Sequence, residues 1–78
     1  MTDNELRFAW LPTFSNRPDD YCGWDGSTMF GRVFHSKYGW WHWHLSGERQ
    51  AVQSGQSATE HEAKLALEAA YLESRFGR

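Results

Sequence analysis

Tyr21-Cys22-Gly23-Trp24-Asp25-Gly26-Ser27-Thr28-Met29-Phe30-Gly31-Arg32-Val33-Phe34-His35 is the stretch that decides the fold. Two aromatic-rich runs flank Asp25-Gly26, a dipeptide suited to a two-residue type I′ hairpin turn, where both central residues need a positive φ. The stretch therefore reads as a strand over Tyr21–Trp24, a tight turn, and a return strand over Thr28–His35. Working outward, Ser36-Lys37-Tyr38-Gly39 forms the next turn and Trp40–Leu45 the third strand of an antiparallel meander. Ser46-Gly47 breaks it, and Arg49–Gln53, whose glutamines suit an exposed edge, adds a weak further strand. On the N-terminal side Leu6, Phe8 and Trp10 alternate with Arg7 and Ala9 as another short strand, ended by Pro12. Pro12 to Asp20 reads as a loop, and residues 1–5 are polar and expected to fray.

Gly55-Gln56-Ser57 leads into a helix over residues 59–76. Thr59 and Glu62 make a T-x-x-E capping box. The segment holds no Gly or Pro, is rich in Ala and Leu, and is followed by Gly77 as a C′ residue. The predicted fold is thus α+β: a three- or four-stranded antiparallel meander, residues 6–54, packed by one C-terminal helix.

The chain has 78 residues and a net charge of −2, which allows a single domain and excludes a multidomain enzyme. No apolar run approaches the roughly 20 residues a bilayer crossing needs, and no apolar stretch of a secretory signal follows Met1. The single cysteine, Cys22, cannot pair within the chain, and the expected location is cytoplasmic. Aromatic residues make up 17% of the chain, with five Trp, five Phe and three Tyr, and there is no Ile. So small a domain needs large side chains to build a core, yet this set exceeds what one sheet–helix interface should require.

Parity assigns the faces. With even loops, Tyr21, Phe30, Arg32, Phe34, Trp41, Trp43 and Leu45 share one face, while Cys22, Trp24, Met29, Val33, His35, Trp40, His42 and His44 share the other; an odd loop or a bulge would exchange positions. The first face is expected under the helix, with Arg32 over Trp43. The second is amphipathic, and either the N-terminal segment or a partner should cover it. On the helix, Ala63, Ala66, Leu67, Ala70 and Tyr71 make one stripe, and Leu65, Ala69, Leu72 and Phe76 a second, roughly opposite.

Three sets of side chains bear on function. Trp24, Tyr38 and Trp40 at the sheet face and hairpin tip, with Leu65, Leu72 and Phe76 on the helix, are the candidate partner-binding residues, because Trp and Tyr dominate interface hot spots. Arg17, Arg32, Lys37 and Arg49 would serve a nucleic-acid surface in which sheet aromatics stack bases. Neither half of the chain is basic, with five basic and six acidic residues in 1–54 and three and four in 55–78, so that reading stands second. His35, His42 and His44 would converge in a tight register as a weak zinc candidate, without an evident carboxylate behind them. No phosphate-binding glycine loop and no nucleophile arrangement around Cys22 is present. The expectation is a non-enzymatic protein with no required cofactor.

Two resemblances add to these readings. Gly55-Gln56-Ser57-Ala58-Thr59-Glu60-His61-Glu62-Ala63-Lys64-Leu65-Ala66 resembles the junction into the last helix of double-stranded-RNA-binding domains. Ala58, Thr59 and Glu60 stand where that family carries phosphate-gripping lysines, so the resemblance implies the β-β-β-α topology and speaks against the RNA function. Gly31-Arg32-Val33, then Trp41-His42-Trp43, then the glycine turn and the Thr-x-x-Glu-Ala-Lys helix, is similar to small uncharacterised proteins of proteobacteria and their phages. Their size and class are those of anti-CRISPR proteins. The resemblance implies a small inhibitor that occupies a surface of a host defence complex, with a homodimer or a nucleic-acid-binding domain as the alternatives.

Overall fold

The computed structural model describes residues 5–46 and 53–76, with Arg75 and Phe76 described as helix backbone without their side chains. The fold is α+β. Five strands, β1 (Ala9–Phe14), β2 (Arg17–Asp25), β3 (Thr28–His35), β4 (Trp41–Leu45) and β5 (Ser54–Ser57), precede one helix, α1 (Glu60–Phe76). The strands lie in chain order in one open antiparallel sheet. The sheet has one strand more than the four at most expected. Its last strand is Ser54–Ser57, where a lead into the helix was expected, and the edge strand expected at Arg49–Gln53 falls almost wholly outside the described residues.

β1 also differs from expectation. It starts at Ala9, runs through Pro12, and turns into β2 after Ser15 and Asn16, so most of the expected loop is strand. Proline is tolerated because β1 is the sheet's edge, where a residue without an N–H can face outward. The β2–β3 turn is centred on Gly26-Ser27, since Asp25 pairs with Thr28. Gly26 alone carries a positive φ there, 64°, which matches the glycine-first type II′ pattern rather than I′.

Two local features set the faces. The β2–β3 register slips between Gly23 and Trp24, so Gly23 pairs with Gly31, Trp24 with Met29, and Phe30 is the extra residue. Phe30 keeps its place on the helix side while Val33 and His35 follow it there, and Arg32 and Phe34 pass to the opposite side. The β3–β4 link is odd. Ser36 N–H donates to Trp40 O (2.8 Å), Gly39 N–H to Ser36 O (3.2 Å), and Gly39 has φ 96°, a turn closed by a left-handed glycine as in three-residue hairpins. The odd loop reverses parity a second time, which returns Trp41, Trp43 and Leu45 to the helix side.

The core lies between that side and α1: Phe30, Val33 and Leu45 from the sheet, and Ala63, Leu67 and Ala70 from the helix, are buried. These are the positions of the small-residue stripe read from the helix. Small side chains let the helix approach closely: a Cβ on Gly31 would fall 2.7 Å from Leu67 Cδ2 and 2.6 Å from the His44 carbonyl oxygen. Phe8, Trp10 and Tyr71 close the core around Phe30, with ring centroids 4.4–5.6 Å apart. The first helical turn is capped as expected, Glu62 N–H donating to Thr59 Oγ1 (3.1 Å).

The N-terminal segment packs on the helix flank. Buried Glu68 accepts hydrogen bonds from Arg7 N–H, Phe8 N–H and Trp10 Nε1–H at 2.9–3.1 Å. Lys64, also buried, pairs with Glu60 (2.6 Å) and lies 3.9 Å from the centroid of the Tyr21 ring. The segment that was one candidate cover for the second sheet face thus sits on the helix side.

Candidate functional site

Among the described residues no element covers the other face of the sheet. Strand alternation and register place Leu11, Cys22, Arg32, His44 and Ser54 in one row across it. Ala9, Trp24 and Met29 form the row toward the β2–β3 turn, and Asp20, Phe34, His42 and Gln56 the row toward the β3–β4 loop. An antiparallel sheet with one solvated face should alternate apolar-in and polar-out. Here the outward set keeps large side chains: Leu11 is 53%, Phe14 44% and Met29 40% exposed.

The middle of the face is organised by one ion pair. Arg32 Nε donates to Asp20 Oδ1 (2.8 Å) and Arg32 Nη2 to Asp20 Oδ2 (2.5 Å). The paired geometry lets a carboxylate be buried on a sheet surface. Arg32 holds the Asp20 carboxyl below its usual range, and Asp20 in turn pushes the Arg32 guanidinium up. Arg32 also lies over the rings of Phe34 (4.9 Å) and Phe14 (5.7 Å), and Arg17 lies over Phe14 (5.4 Å). Phe34 stacks on His42, centroids 5.4 Å apart and planes 20° from parallel. The result is a continuous stack of cations and rings, Arg17–Phe14–Arg32–Phe34–His42. The sequence contains all five residues, but the expected parity put Arg32 over Trp43 and separated Phe34 from His42. The bulge at Phe30 and the odd loop at Ser36–Trp40 are what bring them together.

The residues singled out from sequence separate into distinct places. Trp24 lies half-buried in the apolar row, while Tyr38 (79% exposed) and Trp40 (46%) stand at the β3–β4 loop. Some six residues of β3 lie between these levels, roughly 20 Å at strand rise, so the three do not form one patch. Leu65 and Leu72 are half-buried beside a cleft shared with Glu5, Arg7 and Ala69, where the N-terminal segment runs. The side chain of Phe76 and all of Arg49 lie outside the described residues. Lys37 lies over the Tyr38 ring (5.5 Å) at the hairpin tip, whereas Arg17 and Arg32 lie over Phe14. His35 pairs with Trp41 on the helix side, their rings 4.9 Å apart, whereas His42 and His44 are on the opposite face. The three histidines therefore do not converge, and among the described residues no group of three or more His, Cys, Asp or Glu is placed to hold a metal ion. Cys22 sits within 3.2 Å of Thr13 Oγ1 on the uncovered face.

Among the described residues no helix is long and apolar enough to cross a membrane. Comparison of the chain with protein-family models, with curated proteins and with solved structures finds no match.

Proposed function

We propose that this chain is a small non-enzymatic binding module that docks a protein partner on the uncovered face of its sheet. The observation that carries the reading is the exposure of Leu11 and Met29, on the strands either side of Trp24, on a face that no described element covers. Exposed contiguous apolar surface marks interaction sites, and each Å² buried there contributes about 25 cal/mol before the costs of association. Half-buried Trp24 anchors the same corner, and Tyr38 and Trp40 offer a second contact at the hairpin tip. The likeness to small phage and proteobacterial proteins extends the proposal to an anti-CRISPR-type inhibitor, acting in the cytoplasm of a bacterial host by occupying a surface of a defence complex.

The test is capture from a bacterial lysate containing CRISPR effectors, followed by cross-linking to map the contact. Wild type should retain an effector subunit cross-linked near the sheet face, and a Leu11→Ser, Met29→Ser double variant should lose it while remaining folded. Capture that the double variant leaves unchanged would reject this face. Sizing that shows only self-association would point to the homodimer instead.

A further inference from the structure

We infer a second binding site on the uncovered face, a slot beside His42 that takes a base of a single-stranded nucleic acid. Phe34 and His42 stand on neighbouring strands with nearly parallel rings. The next strand outward is β5, which places Ser54 and Gln56 opposite His44 and His42. One face of the His42 imidazole stacks on Phe34. Both rings border a shallow cleft of about 280 Å³ that is also lined by Trp43, His44, Ser54, Gly55 and Gln56. A flat ring entering there lies beside the Phe34–His42 stack, with a hydroxyl, an amide and a second imidazole among its neighbours. Bases meet both demands, since every base has a π-face and a hydrogen-bonding edge.

Charge favours the same occupant. Among the described strand residues that alternation places on this face, Asp20 is the one carboxylate, and Arg32 neutralises it. Arg17 and Arg32 stand at the other end of the stack, while Glu60, Glu62, Glu68 and Glu73 all lie on the helix. Among those described residues the face carries no carboxylate besides the paired Asp20, and it can accept a phosphate backbone. The site stands at the β4–β5 side of the sheet, away from Leu11 and Met29, and does not rest on the protein-docking reading.

The experiment is fluorescence anisotropy with a labelled oligothymidine of about 12 nucleotides, begun at about 50 mM salt and repeated as salt rises. Wild type should bind, with affinity falling as salt increases. His42→Ala should weaken binding at least about fivefold, the low end of one lost base stack. Ser54→Tyr, which fills the slot from an exposed edge position, should do the same, and it decides the matter if His42→Ala does not fold. Leu11→Ser should bind the oligonucleotide as wild type does, which separates this site from the protein-docking corner. No binding at low salt would overturn the inference, as would unchanged affinity in Ser54→Tyr or equal affinity for a duplex of the same length.

Discussion

The ring of Phe30 lies against the bare Cα of Gly23: a Cβ on Gly23 would fall 2.5 Å from Phe30 Cζ and 2.9 Å from Trp10 Cη2. The bulge that makes Phe30 the extra residue of β3 is therefore accommodated by a missing side chain on β2. Gly23→Ala should destabilise the fold by about 1–3 kcal/mol, the usual cost of overpacking, read as a lower urea midpoint. Gly31→Ala should cost more, because its Cβ meets the His44 carbonyl oxygen as well as Leu67, and backbone yields less than a side-chain tip.

Asp20 makes stability depend on acid. Its paired bonds from Arg32 lower its pKa in the folded state. A depressed carboxyl pKa contributes stability that is present above the unfolded value of about 3.9 and lost as pH falls through the folded value. Urea midpoints should fall below about pH 4 in wild type and fall less steeply in Asp20→Asn. Arg32→Ala, which strands a buried carboxylate, should cost about 2 kcal/mol at neutral pH. That is below the figure for fully buried pairs, because the Arg32 side chain is 41% exposed and water screens it.

Glu68 ties the N-terminal segment to the helix through Arg7 N–H, Phe8 N–H and Trp10 Nε1–H. Glu68→Ala should cost about 1–3 kcal/mol, since it leaves those donors unpaired. Amide exchange at Arg7 and Phe8 should become fast while the β3 and β4 amides stay protected. Glu68→Gln keeps one acceptor oxygen and should lie between the two.

Thr59→Ala removes the acceptor for the Glu62 N–H and should cost about 1 kcal/mol. The loss should show in thermal unfolding followed at the helical circular-dichroism band, with oligonucleotide binding at saturating protein unchanged.

Tyr38→Ala and Trp40→Ala should leave the urea midpoint within about 0.5 kcal/mol of wild type, as expected of exposed positions. Trp24→Ala, at a half-buried position next to the Gly23 bulge, should lose more. Equal losses at all three would show that the hairpin tip is packed in solution.

The capped helix was legible in the sequence, because a cap, helix formers and a stripe of small residues are local signals that reinforce one another. So was the run of antiparallel strands from Tyr21 to Leu45, since alternation and turn glycines act over a few residues. The pairing of Arg32 with Asp20 and the stack of Phe34 on His42 were not legible. Both depend on which side of the sheet a residue faces, and a one-residue slip reverses that for every residue beyond it. Two slips occur here, the bulge at Phe30 and the odd loop before Trp41, and they cancel for β4. Trp41, Trp43 and Leu45 therefore took their expected side while Arg32, Val33, Phe34 and His35 changed theirs.

The sequence by itself determined that this chain forms an antiparallel meander closed by a C-terminal helix with two apolar stripes. Local propensity and periodicity suffice for that. Only the tertiary structure decided that the N-terminal segment binds the helix flank through Glu68 and leaves the other sheet face uncovered. Contacts across some sixty residues of chain set that outcome, and their register is chosen by how rings fit against glycines rather than by any pattern along the strand.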